Sequence, residues 1–442
     1  MLAILRNRTY RHLFAAQVIA LLGTGLMTVA LGLLAYDLAG ADAGAVLGTA
    51  LAIKMIAYVG VAPVAQAFTD RLPRRSLLVG LDLIRGAVAL CLPFVTQVWQ
   101  IYLLIFVLQA ASAAFTPTFQ ATIPDILPDE DEYTRALSLS RLAYDLESLV
   151  SPMLAAALLS VISFHGLFAG TVAGFLVSAA LVVSVRLPVP EPEPRRGVWD
   201  RTTRGMRIYL ATPRLRGLLA INLAVAAAGS MVIVNTVVIV KAGFGLAEPQ
   251  VALALAAFGA GSMIAALSLP RLLGRLSDRP VMLAAAAVLV IGTAAGAGVD
   301  SFAGLLALWL ILGLGYSAAQ TPSGRLLRRS AHPGDRPAVF AAQFALSHAC
   351  WLVCYPLAGL LGATVGTGAA FAVMALAGLV GMALAWRLWP KGDPTHVAHQ
   401  HPDLPDDHPH LMAFGGQGRH HHPVVIDDIH PRWPAGHRHQ AR

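Results

Sequence analysis

Six ionisable side chains stand inside long apolar runs of this sequence: Lys54, Asp82, Arg85, Asp145, Glu147 and His348. A charge at the middle of a membrane-crossing helix costs roughly 2.5–3.5 kcal/mol on insertion scales, so each needs a partner or a task. Asp82 and Arg85 are three residues apart on one helical face and can neutralise each other. Asp145 follows Arg141 by four residues and has the same recourse. Glu147 does not: at about 100° per residue it shares a stripe with Ser140, Tyr144 and Ser151, while Asp145 points about 200° away. Its chemistry is either that of a proton or cation carrier or that of a partner to Lys54. A Lys–carboxylate pair that a proton or a metal cation can open is a usable switch. His348 shares a face with Tyr355, whereas Cys350 and Cys354 lie on the opposite side, so the three make no metal site on one regular helix. His348 therefore either takes a metal with ligands from another helix or is a buried, hydrogen-bonded imidazole. The two cysteines read as small hydrophobes. Gln17, Asn222, Asn235 and Gln320 are polar groups that either line a path or bind helices together.

The elements that must carry these groups are membrane spans. Apolar residues make up 57% of the 442 and charged ones 13%, against roughly 45–50% and about 25% in soluble domains. Continuous apolar runs of about 20 residues suit helices crossing a core of roughly 30 Å, and their lack of alternation excludes a barrel. Spans are expected near 13–36, 44–67, 77–97, 99–118, 138–161, 166–185, 217–240, 250–269, 281–299, 303–321, 338–362 and 367–389. The first is too long for a signal-peptide core and is read as an uncleaved span. With both termini in the cytosol, 29 of the 32 Lys and Arg fall on the cytosolic side or at its helix ends, as the positive-inside rule requires. The net charge of +8 then reflects topology and contact with anionic lipids, and nucleic acid is not an expected partner. No G-x-x-x-x-G-K-[ST] loop is present, and no sizeable soluble domain carries a catalytic constellation. An ATP-driven pump and an enzyme are excluded on that basis, and no cofactor is expected.

The chain also repeats itself. Gln17 and Asn222, Asp70 and Asp278, Thr116 and Thr321, and Pro152 and Pro356 are separated by 205, 208, 205 and 204 residues. A Pro- and Arg-rich stretch divides the repeats, giving a six-helix bundle over 1–186, a cytosolic linker over 187–215, a second bundle over 216–390 and a tail over 391–442. Parallel halves of this kind place a substrate path between them. Between spans two and three stands QAFTDRLPRR (66–75), and between spans eight and nine a degenerate copy, GRLSDRP (274–280). These segments resemble the G-x-x-x-D-R-x-G-R-R motif of the major facilitator superfamily. Gln66 and Pro73 replace glycines in the first copy, and the terminal arginine pair is missing from the second. The resemblance implies an all-α fold of twelve transmembrane helices in two pseudo-symmetric bundles. It further implies that Asp70, Arg71, Arg74, Arg75, Asp278 and Arg279 latch the cytosolic ends of the halves. Ser151-Pro152 partly resembles the family's antiporter signature, which implies exchange against protons.

The tail holds 11 of the chain's 15 histidines: His396, His399, His401, His408, His410, His420, His421, His422, His430, His437 and His439. Its polarity predicts disorder, and clustered imidazoles suit Ni²⁺, Co²⁺ and Zn²⁺. With ALAIKMIAYVGVAP (50–63) and FALSHACWLVCYP (344–356), this tail makes the chain similar to the nickel-resistance exporters of the same superfamily. That resemblance implies a bacterial inner-membrane antiporter that exports Ni²⁺, and Co²⁺ beside it, against protons. Glu147, Lys54, His348, Asp82 and Arg85 would serve transport and proton coupling. The alternative is a drug- or macrolide-type exporter whose tail is incidental.

Overall fold

The structure is a computed structural model that describes residues 2–39, 43–69, 72–188, 198–391, 396–400, 405, 409–413 and 420–433. Asp70 and Arg71 of the expected latch, and His401, His408, His437 and His439 of the tail, lie outside the described residues.

The first half consists of α1 (Arg8–Ala39), α2 (Ala43–Thr69), α3 (Arg74–Cys91), α4 (Val98–Ile126), α5 (Glu130–Leu159) and α6 (Phe164–Val183). After a linker helix, α7 (Val198–Ala211), come α8 (Pro213–Val237), α9 (Glu248–Leu273), α10 (Asp278–Ala295), α11 (Phe302–Gln320), a short α12 (Ser323–Arg329), α13 (Arg336–Thr364) and α14 (Thr367–Leu388). The linker expected as a polar connection is thus helical over 198–211. Among the described residues ten helices are long and apolar enough to cross a membrane, and α2 adds the shorter apolar stretch Ala52–Ala65. Helix α5 is outside that set and carries Arg141, Asp145 and Glu147. It packs at the seam between the halves, where charged groups are spared contact with lipid.

Several ends are set by local chemistry. The Asp129 carboxylate accepts from the Glu132 amide at 2.9 Å, and Glu130, Asp131 and Glu132 fill the first turn of α5, where the helix dipole favours negative charge. This cap starts α5 about two turns before the apolar run that predicted a span from 138. Thr116-Pro117-Thr118 passes through α4 without a break, whereas its repeat, Thr321-Pro322-Ser323, ends α11 and starts α12. The break turns Arg325 and Arg328 toward the first half, where they meet Glu130 and the Pro128 carbonyl.

The same five packings occur in each half. Helix α1 lies on α5 and α6, α2 on α4, and α3 on α4 and α6; correspondingly α8 lies on α13 and α14, α9 on α11, and α10 on α11 and α14. Across the seam α2 meets α13 and α5 meets α9, which are again one contact and its pseudo-symmetric counterpart. At the α9–α11 crossing a Cβ on Gly261 would stand 2.0 Å from the Leu310 carbonyl oxygen, and one on Gly313 2.0 Å from that of Phe258. Glycine is needed at both positions for the backbones to approach so closely.

The tail departs from its expected disorder over the described stretch. β1 (His396–His399) pairs antiparallel with β2 (His420–Pro423). Beyond it Val424 and Ile426 are buried, and Trp433 lies 5.1 Å from the Arg214 guanidinium. The Asp427 carboxylate gathers His332 Nε2 at 3.3 Å, His430 Nδ1 at 3.0 Å and two backbone amides; Asp428 meets Arg204 at 2.9 Å. Three apolar anchors and two carboxylates set against cations supply what the composition of the tail as a whole did not promise. The hydrogen bond to Asp427 raises His332 above the usual imidazole range. For Asp427 burial opposes ionisation, but the bonds from His332 and His430 outweigh it and hold the carboxyl low. The raised histidine stabilises the docked tail fully below about pH 6.5, and that contribution fades as pH rises through its raised value. The lowered carboxyl stabilises it above about pH 3.9, and that contribution is lost in acid. Hydrogen exchange over 424–433, corrected for the intrinsic pH effect, should be slowest between those limits and speed up toward pH 8. A flat profile would show that the clasp does not hold the tail.

Candidate functional site

A cavity of about 750 Å³ lies between the halves, lined chiefly by α1, α2, α4, α5, α11, α12 and α13. It runs from Leu31 and Gly32 on α1 to Gln320 and Leu327 at the end of the bundle that carries the linker. Of the residues singled out from the sequence, Lys54, Arg85, Glu147 and His348 line it together with Gln17 and Gln320. Asn235 instead donates to the Ala358 carbonyl at 3.2 Å and joins α8 to α13.

Asp82 and Arg85 form the expected ion pair. Asp82 also accepts from Ser178 Oγ at 2.7 Å, and the guanidinium lies 4.0 and 4.6 Å from the ring centres of Phe115 and Phe175. Asp145 takes its expected partner too, with Arg141 Nη2 at 2.5 Å. Both pairs are closed, which leaves Lys54 and Glu147 as the exceptions in the cavity. Among the described residues neither makes a hydrogen bond or an ion pair with the other, and the Lys54 ammonium lies 5.6 Å from the Tyr58 ring centre. The two charges of the pair considered from the sequence are thus not in direct contact, although Lys54 acts electrostatically on the Glu147 carboxyl. On the α5 stripe Ser140 donates to Gln17 at 3.1 Å and Tyr144 and Glu147 line the cavity, whereas Ser151 is buried against Gly25.

His348 Nδ1 lies 2.7 Å from the Phe344 carbonyl oxygen, an atom that only accepts. That bond places the proton on Nδ1 and leaves Nε2 as an acceptor. Tyr58 meets the imidazole edge-on at 4.7 Å and Phe344 packs at 4.2 Å. His348 is thus hydrogen-bonded, as one reading of the sequence had it, and retains one nitrogen for a ligand.

The halves are tied together at the end that carries the linker. Asp125 accepts Arg74 Nη1 of the first half on one oxygen and Arg336 Nη1 of the second on the other, both at 2.5 Å. Arg325 reaches Glu130 across the seam at 2.6 Å and Asp278 in its own half at 3.3 Å; Arg329 adds a contact to Asp278 at 3.0 Å. Arg75 donates to the Val183 carbonyl, and Arg279 donates to the carbonyls of Trp389 and Trp386 at 3.0 and 3.2 Å. Of the expected latch residues that are described, Arg74 joins the halves by sharing Asp125 with Arg336, and Asp278 does so through Arg325. Asp125, Glu130, Arg325 and Arg336 were missed because each lies at the end of an apolar run, where a charge reads as an ordinary helix terminus.

The sequence matches the Major Facilitator Superfamily model over residues 13–231 and 218–406. The Macrolide efflux protein A of Streptococcus pyogenes is 26% identical over 181 residues, which are 40% of this chain and 44% of that protein. The protein of the same name from Enterococcus faecalis is 28% identical over 152 residues, 32% of this chain and 47% of that one. The chain therefore aligns with less than half the length of these relatives. Among solved structures, a human organic anion transporter superposes with a TM-score of 0.75 at 13% identity, covering 86% of this chain and 99% of the other. A bacterial homologue of the iron transporter ferroportin in an outward-facing state gives 0.71 at 14% identity, over 86% and 99%. Likeness at such identities speaks for the fold alone. Two halves with the same packing order, a cavity between them and a family match across both make this chain a member of the Major Facilitator Superfamily and a multi-pass membrane protein.

Proposed function

We propose that the chain is a proton-coupled exporter of drug-sized amphipathic organic molecules, working by alternating access in a bacterial cell membrane with its linker end in the cytosol. The cavity carries this reading. At about 750 Å³ it falls within the roughly 300–1,000 Å³ of small-molecule sites, and its aromatic wall faces an extensive polar lining that includes Gln17, Gln109, Gln120, Gln320 and Gln343. The macrolide efflux relatives point the same way. The wall is supplied by Tyr58, Tyr144, Tyr316, Phe340, Phe344 and Trp351, and Lys54, Glu147 and His348 supply the groups that exchange a proton or orient a polar substituent. In this scheme Arg74, through Asp125, and Asp278, through Arg325, help to hold the cytosolic ends closed, while Arg75 and Arg279 brace helix ends within their own halves.

Inside-out vesicles with an inward-acidic proton gradient should accumulate a labelled macrolide when they carry the full chain. Glu147→Gln, which keeps shape and loses the titratable oxygen, should lower gradient-driven uptake by at least about tenfold, a conservative value for removing a proton-transfer group, while macrolide binding persists. Normal uptake by Glu147→Gln would make this residue structural.

The second reading is Ni²⁺ or Co²⁺ as substrate. The free Nε2 of His348 and the Glu147 carboxylate in one cavity favour it. Against it, no group of three His, Cys, Asp or Glu side chains able to hold a metal occurs among the described residues. Radiolabelled nickel in the same vesicles separates the two: nickel uptake without macrolide uptake would replace the first reading with the second.

A further inference from the structure

The two seams related by the pseudo-two-fold axis are chemically unlike. At the offset of 208 that relates Asp70 to Asp278, Lys54 on α2 answers to Ser262 on α9. Lys54 lies beside the Tyr58 ring, which in turn packs on Phe344 and His348 of α13. Ser262, fully buried, is bonded across the seam on two sides. Its Oγ donates to Asp145 Oδ2 at 2.6 Å and accepts from Arg141 Nε at 3.2 Å. Arg141 Nη2 closes the ring on Asp145 Oδ1 at 2.5 Å, and the guanidinium stacks 4.6 Å from the Tyr316 ring centre on α11. Gly261, by letting α9 settle onto α11, presents Ser262 to α5.

We infer that Arg141, Asp145 and Ser262 form a lock at mid-depth of the α5–α9 seam that holds the state closed at the linker end, and that this lock must open in each transport cycle. The inference rests on the alternating-access reading but not on the identity of the substrate. If α5 and α9 separate toward the linker end, Ser262 leaves Asp145, while the Arg141–Asp145 pair stays intact within α5. The buried carboxylate then keeps its counter-charge in both states. Both bonds of the Ser262 hydroxyl and the Arg141 contact with the Tyr316 ring are given up, and water in a rehydrated seam can replace the two hydrogen bonds. Arg141 also lines the cavity, so a bound molecule that draws on its guanidinium loosens the lock from the substrate side. Arg141, Asp145 and Ser262 are thus positioning residues: they set which end is open.

The test uses the full chain with Cys91, Cys350 and Cys354 replaced by serine or alanine and one reporter added. Leu327→Cys reports the linker end, where Leu327 is buried. Gly32→Cys reports the other end, where a Cβ meets nothing within 4 Å. Membrane-impermeant maleimide is applied from each side. Ser262→Ala and Asp145→Asn should each raise labelling of Leu327→Cys roughly tenfold and lower that of Gly32→Cys, as loss of a charge-assisted hydrogen bond from one state requires. Ser268→Ala, whose hydroxyl bonds only within α9, should leave both rates unchanged. Unchanged rates in Ser262→Ala overturn the lock, as does a rise at both reporters, which marks a loosened fold. Reciprocal labelling shifts without macrolide uptake would retain the lock and reject the substrate proposal alone.

Discussion

Asp82→Ala is expected to destabilise the protein by about 3–5 kcal/mol, the cost of stripping the partner from a buried ion pair. Asp82 is completely buried, and its carboxylate meets the two needs that surround it, the Arg85 charge and the Ser178 hydroxyl at 2.7 Å. Alanine leaves a guanidinium enclosed by Phe115 and Phe175, which offer ring faces and no anion. Cation–π contacts contribute on the order of 0.5–2 kcal/mol and do not offset the loss. Thermal unfolding of purified protein, or the monodisperse yield in detergent, reads the effect. The double variant Asp82→Leu, Arg85→Met should recover most of the loss, because apolar residues of similar volume often replace buried ion pairs at little cost. If the single variant melts with the parent, the pair is not what holds α3 against α6.

Asp125→Ala should have the largest effect on the balance between states. One carboxylate here holds arginines from both halves, with its two oxygens each 2.5 Å from a guanidinium nitrogen and all three side chains mostly shielded from water. Removing it exchanges two attractions for a repulsion between Arg74 and Arg336. Truncating one member of such a desolvated pair costs about 2–5 kcal/mol, a factor of roughly thirty or more in the ratio of states. Spin labels at the exposed positions Asp131 and Pro333 should show a longer distance population that the parent lacks. The substrate uptake rate should fall as the closed state becomes hard to reach. Asp129→Ala, which removes a helix cap and touches no cross-half pair, is the control. An unaltered distance distribution would mean that Arg325 and Glu130 hold this end without Asp125.

Much of the molecule was legible in one dimension because its rules are local. The positions of most spans follow from apolar runs, though the early start of α5 and the helices α7 and α12 do not, and the order of packings follows from the repeat. The pairs Asp82–Arg85 and Arg141–Asp145 follow from 3.6 residues per turn. The same periodicity put Glu147 on the cavity face and set it apart from Asp145. The substrate was not legible in this way. The histidine-rich tail drew the reading toward a metal, whereas a cavity's size and donor set exist only after helices from two halves have been assembled.

The order of residues is enough to specify a membrane-spanning chain of two repeated halves, together with the charges that neighbours on the same helix neutralise. Packing in three dimensions settles the rest: that Lys54 and Glu147 share the cavity without direct contact, that Asp125 and Ser262 join the halves, and that part of the tail docks. The reason is range. Partners three or four residues apart are imposed by the helix itself, but Ser262 and Asp145 are 117 residues apart, and no helical periodicity specifies a contact made by packing two halves together.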